Sequence, residues 1–110
     1  MNLRLSTALI GALSRGANAL YWAKHYRESA AVEKDFLARI TYDTQAIIND
    51  QKFMAAKEAF CALLEGAKAY APEEEGLRAI DAESLWERGL EESKKHCGHA
   101  ALDAALKAQA

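Results

Sequence analysis

The sequence predicts an all-α protein, a small antiparallel helical bundle that forms a single domain over residues 1–110. Alanine occupies 24 of the 110 positions, whereas the chain has one Val, three Thr and one Pro. Ala, Leu, Glu and Lys favour helices, and the shortage of β-branched residues leaves little material for strands. Apolar residues also recur at spacings of three and four, which is typical of helices that bury one face.

The first element is predicted to be a short helix over residues 3–15, because Leu9, Ile10 and Leu13 share one face. Gly16 is a residue type that commonly ends helices, and Asn18 is one that commonly begins them. The aromatic residues that follow are out of register with the face before Gly16. We therefore predict a break at 16–18.

A long second helix is predicted from residue 19 to residue 48. At about 100° per residue, one set of its side chains falls within about one-third of a turn, namely Tyr21, Trp22, His25, Ser29, Val32, Phe36, Ile40 and Ile47. This continuous face predicts that Tyr21 and Trp22 pack in a core, either within the chain or against a second one. Lys24 and Arg27 would then lie on the solvent side.

A third helix is predicted over residues 50–70. Asn49 and Asp50 are expected to end the preceding helix and to cap this one. Its apolar residues follow a regular spacing of three and four, from Phe53 through Phe60 to Leu64.

The next main helix is predicted over residues 73–97, with a second start at Asp81 as an alternative. Pro72 followed by Glu73, Glu74 and Glu75 favours a helix start, because acids stabilise the positive end of a helix. Gly98 is expected to stop this helix, and a short terminal helix follows over 99–109. The bundle thus has three main helices, 19–48, 50–70 and 73–97, and two short ones.

The alanine-rich composition predicts a thin core, because a buried Ala contributes much less apolar area than a buried Leu. A homodimer that shares the remaining apolar faces would increase the buried area. We therefore expect self-association as one form of partner binding.

Protein–protein interaction is the predicted function. Trp, Tyr and Arg commonly anchor interfaces, and the predicted partner-binding residues include all three types: Tyr21, Trp22, Lys24, Tyr26 and Arg27, with Glu83 and Glu87 on an acidic helix. We expect a non-catalytic accessory, adaptor or inhibitor-type protein that acts through an aromatic and basic helix face and an acidic helix.

Nucleic-acid binding is the first alternative. Residues 1–27 carry Arg4, Arg15, Lys24 and Arg27 and no acid, and aromatic rings among cations can stack on bases. However, the net charge is −2, and residues 73–92 are strongly acidic. Nucleic acid is therefore not the expected partner.

A metal or enzymatic role is the second alternative, centred on His96, Cys97 and His99. A tetrahedral zinc site normally needs four ligands in two spaced pairs, and the sequence has no second pair. No phosphate-binding loop or nucleophile motif is present either. We therefore predict no enzymatic activity, no cofactor and no metal.

A cytoplasmic location is expected. No run of residues approaches the ~20 apolar residues of a membrane span, and Cys61 and Cys97 are expected to be reduced thiols, although their pairing stays open. Residues 1–19 have a basic start, an apolar run and an Ala-Asn-Ala sequence. Export is therefore the alternative, if this segment acts as a targeting signal.

Overall fold

The structure is a computed structural model that describes residues 1–71 and 75–109, and 87% of these residues are helical. The elements are α1 (Leu3–Val32), α2 (Phe36–Tyr70), α3 (Glu75–Arg78), α4 (Ala82–Ser93) and α5 (His99–Gln109). The all-α class is confirmed. A bundle of three main helices is not confirmed, because α1 and α2 are long and extended and the later segments are short.

The predicted break at 16–18 is wrong, because α1 continues through this segment without interruption. Gly16 does not end a helix. It lies where α1 packs against α4, and an added Cβ there would be 2.8 Å from Cζ2 of Trp86 and closer still to Cη2. The glycine is therefore explained by the close approach of an indole ring. Asn2, and not Asn18, caps α1, since its side chain accepts a hydrogen bond from the backbone N–H of Leu5.

The predicted helix 19–48 is also wrong, because the chain reverses direction at residues 33–35. Glu33 ends α1, and Asp35 caps α2 by accepting a hydrogen bond from the N–H of Ala38 at 2.9 Å. The reversal makes α1 and α2 an antiparallel hairpin, in which Tyr26 stacks on Tyr42 across the two helices.

The predicted boundary at Asn49 and Asp50 is wrong, because both residues lie inside α2. Asn49 is buried, and its Nδ2 donates a hydrogen bond to the carbonyl of Gln45, so its amide is satisfied within the helix. Asp50 forms an ion pair with Arg27 across the hairpin. Asp50, which resembles a cap in the sequence, thus connects the two helices instead.

The predicted helix 73–97 is divided into shorter segments. The predicted start at Pro72 lies outside the described residues, but the alternative start at Asp81 is confirmed. The Asp81 carboxylate accepts a hydrogen bond from the N–H of Ser84, which stabilises the charged form and lowers the pKa of Asp81. α4 ends at Ser93, and Gly98 lies just before α5 with φ 56°. The terminal helix 99–109 is confirmed.

The hydrophobic core lies at one end of the hairpin, where α4 and α5 pack against α1 and α2. Its largest fully buried side chains are Trp86, Phe60, Leu9, Leu13, Leu64, Leu85 and Leu102. The ring of Trp86 contacts both Phe53 and Phe60, with centroids 5.7 and 5.2 Å away. The molecule measures 58 × 25 × 19 Å, so much of the hairpin extends beyond this core.

We call residues 20–48 the arm, since this part of the hairpin contributes nothing to the core cluster. Its fully buried apolar residues are Ala23, Ala30 and Ala46. The prediction that Tyr21 and Trp22 are core residues of the chain is wrong, because they are 63% and 38% exposed. Since α1 does not break, its alanines face α2, whereas Tyr21 and Trp22 face outwards.

Candidate partner-binding site

The arm carries a cluster of aromatic rings on its surface. Trp22 is at the centre, with its ring centroid 5.2 Å from that of Tyr21, 5.3 Å from that of His25 and 5.8 Å from that of Tyr26. Tyr26 then stacks on Tyr42 of α2, with centroids 6.2 Å apart. We call these five residues the aromatic cluster. The rings support one another in defined orientations, although no core lies behind them.

The sequence predicts Tyr21, Trp22 and Tyr26 as binding residues, but it does not predict that His25 and Tyr42 lie beside them. His25 was predicted to lie on the buried face of a helix over residues 19–48, and the structure does not contain that helix. Tyr42 was not connected to the cluster, because the chain reversal at residues 33–35 was not predicted. The signal for that reversal is Asp35, an N-cap residue type placed directly before Phe36 and Leu37.

The predicted basic residues of the arm take part in ion pairs. Arg27 pairs with Asp50 of α2, and Lys24 lies 4.0 Å from Glu28, one turn further along α1. Both pairs are exposed, so each contributes little to stability. The Arg27 pair joins the two helices of the arm, whereas the Lys24 ammonium remains accessible to a partner.

A shallow groove of about 510 Å³ lies at the base of the arm, between α1 and the end of α4. Its lining is mainly apolar, and lysines from both helices contribute to it: Ala17, Leu20, Tyr21 and Lys24 from α1, with Leu90, Ser93 and Lys94 from α4. Tyr21 therefore belongs to both the groove and the aromatic cluster. Lys94 and Leu90 were not predicted as binding residues, because only packing between α1 and α4 brings them next to Tyr21.

The predicted acidic residues lie on a different part of α4. Glu83 accepts a hydrogen bond from Lys57 of α2 at 2.9 Å, and this contact raises the pKa of Lys57. Glu87 is exposed one turn further along α4. Within 1–71 and 75–109, no ion pair joins the basic residues 4–27 to the acids of α4. The aromatic cluster and the acidic residues therefore form separate surfaces.

A second groove, of about 470 Å³, bears on the nucleic-acid alternative. It lies between α1 and α2 and is lined by Arg15, Asn18, Asn49 and Lys52, with alanines on its floor. Arg15 is one of the four basic residues of the N-terminal quarter, whereas Lys52 was not predicted. The two cations and the amide of Asn18 are groups that can bind an anion.

The candidate metal residues are on the surface around Gly98. His96 and Cys97 precede this glycine, and His99 begins α5; all three are exposed. Nε2 of His96 lies 3.8 Å from Glu92. In the part of the chain that the structure describes, no group of three or more His, Cys, Asp or Glu is placed to hold a metal ion.

The two cysteines are free thiols in different environments. Cys61 is half-buried, and burial raises the pKa of its thiol, which disfavours the reactive thiolate. Cys97 is exposed.

Comparisons with protein-family models, with curated proteins and with solved structures give no match. Across the described residues, no helix is both long and apolar enough to cross a membrane.

Proposed function

We propose that the chain is a non-catalytic protein-binding module, an accessory or adaptor-type protein that binds its partner through the arm. The observation that carries this proposal is the aromatic cluster, with Tyr21 and Trp22 63% and 38% exposed on a projecting pair of helices. Monomeric proteins rarely expose large contiguous apolar patches unless those patches bind something. Trp and Tyr supply much of the binding energy at protein interfaces.

The groove beside the aromatic cluster favours a partner that presents both apolar side chains and carboxylates. Its apolar lining would accept apolar side chains, while Lys24 and Lys94 favour carboxylates at the same place. The proposed ligand is therefore a protein segment with an apolar row flanked by acids. The ring of Tyr26 packs against that of Trp22, and the ion pair of Arg27 with Asp50 joins α1 to α2.

Glu83 and Glu87 remain part of the proposal as a second, acidic surface. Glu83 is already hydrogen-bonded to Lys57 and therefore supports the position of α4. Of the two acids, Glu87 has the carboxylate that is more available to a basic partner. A charge reversal at Glu87 would show whether this surface contributes to binding.

The test is quantitative affinity capture of partners from the native source with tagged wild type and variants. Trp22→Ala and Lys24→Glu should each reduce recovery of the same protein at least about tenfold, which corresponds to about 1.4 kcal/mol. Tyr70→Ala is the matched control, because Tyr70 is a highly exposed aromatic residue outside the arm. Recovery that is unaffected by Trp22→Ala would contradict the proposal.

Nucleic acid is the second candidate, and the groove that contains Arg15 and Lys52 is the observation in its favour. Phosphate-dependent binding weakens steeply with salt. Salt-sensitive retention of the wild type on DNA or RNA near physiological ionic strength, lost in Arg15→Glu, would replace the protein-binding proposal. The net charge of −2 is the reason that this role ranks second.

A further inference from the structure

The outer side of α2 carries a row of large apolar side chains. Phe36, Ile40, Ile47 and Met54 fall within about 40° of one another at ~100° per residue, and they are 44% to 77% exposed. Ile40, Ile47 and Met54 are also spaced by seven residues, which is the repeat of helices that pair side by side. We call these four residues the outer row.

The outer row is distinct from the row by which α2 packs on the rest of the chain. The buried side of α2 consists of Ala46, Asn49, Ala56, Phe60 and Leu64. The centre of the outer row lies about 140° around the helix from this buried side. α2 therefore has two apolar sides, and α1 covers only one of them.

The whole chain exposes more surface than its mass requires. Its accessible area is 7155 Å², whereas a folded monomer of 12.1 kDa is expected to expose about 6,000 Å². Its radius of gyration is 16.5 Å, against about 13 Å for a compact chain of this length. The excess of about 1,100 Å² exceeds the roughly 800 Å² that one partner buries in a standard interface. The chain thus has the area that a stable dimer needs.

We propose that the outer row binds the outer row of a second copy of this chain, in an antiparallel pair of α2 helices. Such a twofold interface places Ile47 against Ile47 at the axis and Ile40 against Met54 of the other copy. This interface uses a different side of the molecule from the groove and goes beyond the proposed function. A failure to find a different partner protein would therefore leave the proposed dimer unaffected.

The charges along α2 favour the antiparallel arrangement. In a parallel pair, Asp43, Asp50 and Glu58 would each face the same residue of the other copy, and like charges that face each other are destabilising. In the antiparallel pair, Asp43 faces Gln51 and Asp50 faces Thr44, so acids do not oppose acids. The acids beside the row also disfavour an anionic lipid surface as the occupant.

Light scattering on the purified full chain tests this proposal. The wild type should have the mass of a dimer at about 100 μM, and Ile47→Asp should have the mass of a monomer, because it places two carboxylates at the axis. Ile47 is 56% exposed, so the variant should keep its helical circular dichroism. Val32→Asp is the matched control, since Val32 is an exposed apolar residue on the other helix, and it should remain a dimer.

A monomeric wild type at this concentration would overturn the proposal, and so would a dimer that Ile47→Asp leaves intact. Orientation is tested by oxidising a mixture of Ile40→Cys and Met54→Cys chains, each in a Cys97→Ser background. The antiparallel pair predicts a disulfide between the two different variants. Ile40→Cys chains that link only to one another would overturn the antiparallel arrangement.

Discussion

Trp22 and Trp86 are the two tryptophans of the chain, and they lie in opposite environments. Trp86 is 1% exposed and fills the space between α1, α2 and α4, where Gly16, Phe53 and Phe60 contact its ring. Trp22 is surrounded mainly by other surface rings of the arm. The same side chain therefore stabilises the fold at one position and is available for binding at the other.

Substitution of each tryptophan by alanine should separate these roles. Trp86→Ala should lower the free energy of unfolding by about 3–5 kcal/mol, because it leaves a cavity in the core. Trp22→Ala should lower the free energy of unfolding by less than about 1 kcal/mol, because the Trp22 side chain lies on the surface and not in the core. Urea denaturation of the two variants and the wild type measures both quantities. A loss of several kcal/mol in Trp22→Ala would show that the ring is structural after all.

Residue types alone could not distinguish these two positions. Both tryptophans are one turn from other apolar residues in the sequence. The buried position depends on Gly16 and Gly89, which let α1 and α4 approach closely, since a Cβ at Gly89 would lie 2.9 Å from Leu13. Such a contact between distant segments leaves no signal in local spacing.

At the scale of elements, glycine has different roles in different helices. Gly16 of α1 lies directly against Trp86, whereas Gly66 of α2 has open space around its Cα. Neither residue interrupts its helix. Helix boundaries are instead set by Asn2, Asp35 and Asp81, whose side chains accept hydrogen bonds from the first turns of α1, α2 and α4.

The two glycines give a matched pair of substitutions with opposite expected effects. Gly16→Ala should destabilise the fold by about 1–3 kcal/mol, because the indole ring cannot move away without disturbing the core. Gly66→Ala should stabilise it by about 0.5–1 kcal/mol, because alanine restricts the unfolded chain and meets no obstacle. Thermal unfolding followed by circular dichroism compares them. Equal effects of both substitutions would refute the close packing of α1 on α4.

Much of the helical content could be predicted from the sequence, but the connections between helices could not. Composition and spacing correctly predicted the all-α class and the terminal helix 99–109, and the start of α4 after Asp81 was the alternative to a continuous helix 73–97. The errors came from Gly16 and Asp50, which resemble helix boundaries in the sequence but contact another helix in the structure. The reversal after Glu33 was missed because the aromatic face seemed to continue through Val32 to Phe36.

The residues that form the aromatic cluster and the groove beside it could be predicted in part. Tyr21, Trp22 and Tyr26 lie together because they are neighbours on one helix, and that proximity could be derived from spacing. Tyr42 and Lys94 join this surface from other helices, so only the tertiary arrangement identifies them. Their roles as partner-binding residues stay predictions.

The whole molecule consists of an end that contains the hydrophobic core and an arm that extends beyond it. The core end buries Trp86, Phe60 and several leucines, whereas the fully buried apolar residues of the arm are alanines. Buried alanine contributes little apolar area, so the arm has less to hold its two helices together. An arm that is weakly stabilised alone gains most from a partner that covers it.

Amide hydrogen exchange of the Ile47→Asp variant, which is expected to be a monomer, tests this division most directly. The amides of 56–64 and 85–89 should exchange slowest, near the rate set by global unfolding, because they surround the core. The amides of 22–30 and 40–48 should exchange at least about tenfold faster through local opening of the arm. Uniform protection along all of α1 and α2, measured on monomeric Ile47→Asp, would contradict the claim that the arm lacks a core of its own.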